Sequence, residues 1–142
     1  MIWIRCLAYA WASPYTLLGL AIGLALRGQV RLVAGVLEIQ GPGVAWLLVR
    51  LPVRAAAMTL GHTVLGQNRR QLERTRRHER VHVAQFERWG VLMGPAYLLA
   101  SLYQPLRGRH YYRDNPFEVE AYAVEMKPLK KDDTEQTNNR VR

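Results

Sequence analysis

An uncharged segment near the amino terminus places the strongest constraint on the fold. Residues 6–26 are 21 consecutive positions without Asp, Glu, Lys or Arg, bounded by Arg5 and Arg27. The segment is long enough to cross a bilayer as a helix. A Ser-Pro pair interrupts it, and its most apolar part, residues 16–26, also fits a buried core helix or the core of a signal peptide. We predict an apolar, membrane-associated helix over residues 1–27, and a buried helix and a cleaved signal remain the alternatives.

The composition limits the other classes of structure. A chain of 142 residues is long enough for one domain with its own core. Cys6 is the only cysteine, which excludes an intramolecular disulfide and a cysteine-rich zinc site. The formal net charge of +9 allows attraction to phosphate groups of nucleic acid or anionic lipid. The basic residues are dispersed, with local clusters at residues 69–70, at residues 74–80 and in the tail, and this favours solvated helix faces and a charged tail over a specific nucleic-acid site.

The first half of the chain predicts a short β-sheet. Residues 29–40 and 44–51 are apolar, partly β-branched runs separated by Gly-Pro-Gly at 41–43. This pattern predicts a β-hairpin with its turn at these three residues. A further strand is predicted over residues 57–65, where β-branched and apolar residues recur.

The second half of the chain predicts helices. Residues 71–89 contain no Gly or Pro and end before Gly90, which predicts one long helix. Residues 91–103 predict a second helix. Asn115 followed by Pro116 predicts the start of a third, because Asn caps a helix and proline needs no N–H at its first position.

These elements predict an α+β fold in which a short sheet is followed by a long helix, a helical hairpin and a final helix. The domain is expected to span residues 28–126. The apolar helix over residues 1–27 precedes it. Residues 127–142 are polar and are expected to form a disordered tail.

His78, Glu79 and His82 form the pattern HExxH inside the longest predicted helix. Residues four apart lie on the same face of a helix, so two imidazoles at this spacing can reach one zinc ion. The glutamate beside the first histidine can take a proton from a zinc-bound water that attacks a carbonyl carbon. The pattern therefore predicts a zinc site with two histidine ligands and Glu79 as the general base.

A catalytic zinc site needs a third protein ligand and an open position for water. Gln85 and Arg88 stand where the longer pattern HExxHxxGxxH would have glycine and histidine, so that class of zinc peptidase is excluded. Glu118 and Glu120 in the last predicted helix are the candidates. They differ by about 200° around a helix, so only one of them can face the metal.

The two segments together resemble the gluzincin metallopeptidases, particularly the very small bacterial ones. Their pattern is HExxH, often HExxHxxQ, followed by a helix with Glu-x-x-Ala-Asp. The resemblance covers residues 57–126 and implies that Glu118 is the third ligand. It puts Tyr122 where the family commonly has the Asp that supports a zinc-bound histidine. Gln85 continues the face of the two histidines and is expected to hydrogen-bond to a neighbouring element.

The resemblance also implies a sheet whose edge strand lies along the active-site cleft, where a peptide substrate adds as a further strand. The candidate is the predicted strand over residues 57–65, which contains His62. His110, Tyr111 and Tyr112 precede the last predicted helix, and one of them could polarise the oxyanion of the reaction. For each of these candidates, ordinary packing is the favoured interpretation.

The sequence therefore predicts a zinc-dependent peptidase whose partner is a peptide or protein substrate. Residues 6–26 would associate it with a membrane, and without that association a cytoplasmic location is expected. One alternative is a catalytically inactive zinc-binding interaction module. Another is a basic protein that binds nucleic acid or anionic lipid, although no specific nucleic-acid partner is expected.

Overall fold

The computed structural model of the protein describes residues 2–128. Over this range the chain forms five α-helices, one short 3₁₀ helix and one sheet, which confirms the α+β class. Most of the predicted tail, residues 129–142, lies outside the described residues. In chain order the elements are α1 (Ile2–Ala25), β1 (Gln29–Val33), β2 (Val36–Gln40), α2 (Pro42–Leu48), β3 (Ala57–Leu60), β4 (Thr63–Gly66), α3 (Arg69–Trp89), the 3₁₀ helix (Gly90–Leu92), α4 (Met93–Leu106) and α5 (Pro116–Glu125).

The four strands form one mixed sheet in the order β1-β2-β4-β3. The central strands β2 and β4 are parallel, whereas β1 with β2 and β3 with β4 pair antiparallel. β1 and β3 are therefore the two edge strands. Each edge strand has hydrogen-bonding groups on its outer side that no other strand of this sheet pairs.

The predicted hairpin with its turn at residues 41–43 is wrong. The hairpin lies earlier, because the chain reverses at Ala34 and Gly35 and β1 pairs with β2. Both turn residues have positive φ, 46° and 79°, which suits a two-residue hairpin turn. The predicted second strand, 44–51, is mostly helix α2. Pro42 favours this helix, since its fixed φ and missing N–H fit the first helical turn.

The predicted strand over residues 57–65 is two strands, β3 and β4, which pair antiparallel. The chain reverses at Gly61, which has a positive φ of 60° that other residues rarely adopt. Gly61 and His62 separate two short apolar runs here, and glycine is a turn signal, so the sequence contains a boundary that the prediction of a single strand did not use.

The predicted helices all form, with small changes at their ends. Asn68 caps α3, and its side chain accepts a hydrogen bond from the N–H of Gln71 at 3.0 Å. This cap starts the helix at Arg69, two residues before the predicted start. The last helix, α5, begins after the predicted cap Asn115, whose side chain accepts from the N–H of Phe117 at 3.0 Å.

The sheet packs between helices on both faces. Ile39 and Leu65 are buried on one face, together with residues of α1 and α2. Val64 is buried on the other face, against Leu72 and Val83 of α3. The helix α1 is therefore part of the core of the domain along one side.

The segment Cys6–Ala25 of α1 is also long and apolar enough to cross a membrane, with a mean hydropathy of 1.3. Core helices and signal sequences meet the same criterion. Only 17 % of the most apolar part of this segment is buried, so most of the outer side of the docked helix is exposed.

Candidate metal centre

Three buried side chains from α3 and α5 meet at one point beside the sheet. Nε2 of His78 lies 3.1 Å from Nε2 of His82 and 3.2 Å from Oε2 of Glu118. Nε2 of His82 lies 3.5 Å from Oε1 of Glu118. The two histidines are one turn apart on α3, and the packing of α5 against α3 brings the carboxylate to them. This group could hold a metal ion.

The spacing of these atoms fits a tetrahedral ion. Nitrogen and oxygen ligands of zinc lie about 2.0–2.1 Å from the metal, so at tetrahedral angles they are about 3.3–3.4 Å apart. Nε2 of His78 is 3.1 Å from Nε2 of His82 and 3.2 Å from Oε2 of Glu118, both close to that value, and Nε2 of His82 is 3.5 Å from the other carboxylate oxygen, Oε1. Oε2 of Glu118 is buried and makes no hydrogen bond within the described residues, because its contact with His78 lacks hydrogen-bond geometry. A cation would compensate this desolvated oxygen.

Gln85 determines which nitrogen of His82 faces the other ligands. Its Nε2 donates to the backbone oxygen of Phe117 at 3.0 Å and to Oε2 of Glu120 at 2.8 Å. Its Oε1 therefore faces Nδ1 of His82, at 2.9 Å. An amide oxygen only accepts, so Nδ1 carries the hydrogen and Nε2 keeps the lone pair that a metal requires.

The same contacts distinguish the two candidate carboxylates of α5. Glu120 accepts from Gln85 and lies 3.3 Å from the guanidinium of Arg88, at the surface. The charge-assisted contacts lower the pKa of Glu120, the bond from Gln85 having the largest effect. Glu118 is the one that reaches both histidines.

Two residues that the sequence analysis did not single out lie against the other two ligand candidates, Glu118 and His78. The hydroxyl of Tyr97, on α4, donates to Oε1 of Glu118 at 2.7 Å. Oε2 of Glu125 lies 3.3 Å from Nδ1 of His78, without hydrogen-bond geometry. The spacing of Glu125 seven residues after Glu118 places both on one face of α5, and this signal could have identified it.

Tyr122 contacts His78 with its ring. The two rings meet edge to face with centroids 4.6 Å apart. Tyr122 therefore packs against His78. In the family that the sequence resembles, this position commonly holds an Asp that supports a zinc-bound histidine. The nearest carboxylate to Nδ1 of His78 comes instead from Glu125.

The electrostatics of the site keep Glu118 ionised. Burial by itself raises the pKa of this carboxyl, but the close imidazoles of His78 and His82, the charge of His82 and the hydrogen bond from Tyr97 outweigh it, and the pKa is lowered. Burial lowers the pKa of His82, but the close carboxylate of Glu118 and its charge raise it by a larger amount, so the net change is upward. Burial and the nearby Glu118 charge raise the pKa of Tyr97, so its hydroxyl stays a donor.

Glu79 lies on the side of α3 that faces the sheet. Its Oε2 accepts a hydrogen bond of 2.7 Å from the hydroxyl of Thr59, on β3. Burial raises the pKa of Glu79, and the charge of His82 and the bond from Thr59 oppose this rise without cancelling it. A buried carboxylate with a raised pKa is a better proton acceptor than an exposed one.

A cleft of about 520 Å³ opens beside the three ligand candidates and Glu79. The edge strand β3 lines it with Met58, Thr59 and Leu60. Tyr97 and Tyr112 line it as well, and most of the other lining side chains are apolar. Because no strand of the sheet pairs with the outer side of β3, an extended peptide in the cleft could add to it.

Two histidines considered from the sequence do not line this cleft. His62 is buried elsewhere, with its Nε2 2.9 Å from Oε1 of Glu87 and its ring stacked on Tyr9. His110 is exposed, and its Nδ1 accepts a hydrogen bond from the N–H of Tyr112 at 3.2 Å. Of the loop candidates, Tyr111 and Tyr112 both line the cleft, and burial raises the pKa of the Tyr112 hydroxyl.

Two imidazoles and one carboxylate form a donor set that zinc accepts, and three protein ligands are the usual number where a metal also binds water. Comparisons of the chain with models of protein families, with curated proteins and with solved structures found no significant match. The geometry of the centre is therefore the basis on which a function can be proposed.

Proposed function

We propose that the protein is a zinc-dependent peptidase in which His78, His82 and Glu118 hold the metal and Glu79 is the general base. The single observation that carries this proposal is the meeting of two buried imidazoles and a buried carboxylate within 3.1–3.5 Å of one another, beside an open cleft. The resemblance of the sequence pattern to small gluzincins supports the same activity.

A bound zinc ion would supply Lewis acidity and a water whose pKa is near neutrality. Glu79 is the group that would take the proton of the attacking water and deliver it to the departing amine, a role that its raised pKa supports. Thr59 holds the Glu79 carboxylate from the strand that lines the cleft. Gln85 and Tyr97 orient one histidine ligand and the carboxylate ligand.

The substrate in this proposal is an extended peptide with apolar side chains near the scissile bond. The outer side of β3 offers backbone hydrogen bonds, and the apolar lining of the cleft favours apolar side chains. Tyr112 lines the cleft and keeps its proton, so it could donate a hydrogen bond to the oxyanion.

The contacts of the arginines just before and within the motif support the peptidase over a nucleic-acid-binding protein. The guanidinium of Arg76 makes two hydrogen bonds to Glu38, at 2.7 and 2.9 Å. Arg77 donates to the backbone oxygen of Val124 at 2.9 Å, and Arg80 donates to a carbonyl in the β1–β2 turn at 3.1 Å. These groups stabilise the fold and are less free to bind phosphates.

We also infer that the protein associates with a membrane through α1. The length and hydropathy of the segment Cys6–Ala25 support this, as does the exposure of most of its outer side. The metal centre itself does not depend on that association.

The test of the peptidase is the pair of wild type and Glu79→Gln, both loaded with zinc and incubated with a library of fluorogenic peptides. We expect hydrolysis by the wild type and a loss of about a hundredfold or more in Glu79→Gln, since general-base catalysis contributes that much. Zinc content should be equal in the two. Glu73→Gln, at an exposed position of the same helix, is the control. Equal zinc with no turnover by the wild type on any peptide would instead favour an inactive zinc-binding module.

A further inference from the structure

The helix α4 exposes a row of leucines along its outer side. Residues 89–106 contain no charged residue. Single exposed leucines are common, but three on one helix at spacings of three and four residues form a continuous apolar face. These side chains are between 67 and 82 % exposed: Leu99, Leu102 and Leu106.

The helix α1 has a similar outer side. Its inner side carries glycines that pack closely against the sheet, Gly19 against Thr63 and Gly23 against Ile39. Its outer side exposes large apolar side chains over most of its length: Trp3, Leu7, Trp11, Leu17, Leu18 and Leu24. The docked helix therefore places glycines closest to the sheet and leaves these six large side chains exposed.

The two helices meet at the start of α4. The hydroxyl of Tyr15, on α1, donates to the backbone oxygen of Val91 at 3.3 Å, and the indole of Trp11 lies against Gly90. Val91 and Leu92 are themselves exposed. The outer sides of α1 and α4 therefore adjoin, and together they form what we call the apolar surface.

We propose that the apolar surface docks on the face of a lipid bilayer that contains anionic lipids. This goes beyond a membrane role for α1 alone, because it includes α4. Residues 1–37 and 88–113 contain arginines but no Asp or Glu. Anionic head groups complement this charge, whereas a second copy of the chain would bring arginine against arginine.

In this arrangement α1 lies along the leaflet and does not cross it. The hydroxyl of Tyr9 donates to the backbone oxygen of Gly35 at 3.1 Å, and the hydroxyl of Thr63 donates to that of Thr16 at 3.0 Å, so α1 is fixed to the sheet over several turns. A crossing helix that kept these contacts would bring the edge strand β1 into the hydrocarbon. Unpaired backbone groups of a sheet edge are not tolerated there.

The test is co-flotation of the full chain with phosphatidylcholine vesicles, with and without phosphatidylglycerol. We expect flotation that is stronger with phosphatidylglycerol and that weakens about tenfold or more in the double variant Leu99→Glu/Leu102→Glu, since each leucine loses its burial in lipid. The control is the double variant Val119→Glu/Met126→Glu, which adds the same two negative charges at exposed positions on α5 and just after it. It should change flotation by about twofold at most.

Several results would overturn the proposal: no flotation of the wild type, equal loss in both double variants, or no loss in the α4 variant. A lipid-free dimer that the α4 substitutions dissociate, without flotation of the wild type, would identify a second copy as the occupant. Circular dichroism checks that the variants fold. If the α4 double variant does not fold, the single variant Leu106→Glu takes its place. Flotation measures binding to vesicles and does not depend on hydrolysis, so a negative result here is distinguishable from failure of the peptidase proposal.

The orientation of α1 has its own test in Cys6, the single cysteine, which is exposed. Because Cys6 lies five whole turns from Leu24, it is on the side of α1 that faces the lipid, so we expect the free chain to react with a membrane-impermeant maleimide and the vesicle-bound chain to be protected. Equal labelling of the free and the vesicle-bound chain would contradict the docking of this side of α1.

Discussion

The amide oxygen of Gln85 lies 2.9 Å from Nδ1 of His82, and the amide nitrogen of the same side chain donates to two oxygens of α5. Gln85 is fully buried. One side chain therefore both selects the tautomer of a candidate ligand and joins the helix of the histidines to the helix of Glu118. A residue three positions after the HExxH pattern thus supports the site from within the same helix.

Replacing Gln85 is expected to weaken zinc binding without removing a ligand. In Gln85→Ala, His82 loses the acceptor that fixes its tautomer, and loss of such a partner typically costs about 10- to 100-fold in affinity. The measurement is competition for zinc against a chelator. Gln67→Ala is the control, since Gln67 also donates to a backbone carbonyl, that of Ala55, away from the centre. Equal affinities for the two variants would show that Gln85 has only a packing role.

Tyr97→Phe tests the support of the carboxylate ligand. The hydroxyl donates to Oε1 of Glu118 at 2.7 Å, and a hydrogen bond to a buried charge is worth about 1.5–3 kcal/mol. We expect zinc affinity to fall about tenfold or more, measured by the same competition. Tyr103→Phe removes an exposed hydroxyl from the same helix and should leave the affinity unchanged. If both variants bind zinc as the wild type does, Tyr97 does not position the ligand.

Zinc affinity should rise with pH through the neutral range. The pKa of His82 is raised above its usual 6.5 by Glu118, despite the opposing effect of burial, and a protonated imidazole cannot bind a metal. In the metal-free protein the same shift stabilises the fold below pH 6.5, and this contribution is lost as pH rises through the raised pKa. Isothermal titration at several pH values measures the affinity, and His110→Gln, outside the cleft, should keep the profile. An affinity independent of pH would contradict the assignment of His82.

Thr59→Val should slow hydrolysis and keep zinc bound. Thr59 donates to the carboxylate of Glu79 and lowers its pKa, so its removal raises that pKa further. We expect kcat to fall about tenfold and the acidic limb of the pH–rate profile to move to higher pH. Thr75→Val, whose hydroxyl donates to a backbone oxygen within α3, is the control. A lower rate with an unmoved acidic limb would mean that Thr59 acts only through packing.

The helical parts of the fold could be predicted from the sequence because their signals are local. Asn115 and Pro116 mark the start of α5, and Gly90 marks the end of α3. The spacing of His78 and His82 on one helix places them together whatever surrounds them. The structure brings Glu118 to these histidines, and the binding of a metal by the three side chains is the prediction.

The sheet and the supporting residues could not be predicted in the same way. An apolar run of 8 residues is compatible with a strand or a helix, so residues 44–51 gave no decision between them. The turn at Ala34 and Gly35 has a weaker signal than Gly-Pro-Gly, although it is the one that forms the hairpin. Thr59 and Tyr97 reach the site from β3 and α4, and only tertiary packing brings these elements to α3.

The most direct test of the metal centre is the zinc content of purified wild type, His82→Ala, Glu118→Gln and Glu120→Gln. Glu120 is the matched control, because it lies on the same helix and accepts from Gln85 but does not reach the histidines. We predict about one zinc ion per chain in the wild type and in Glu120→Gln, and loss of stoichiometric zinc in the other two. Equal zinc in all four proteins, or loss only in Glu120→Gln, would contradict the assignment.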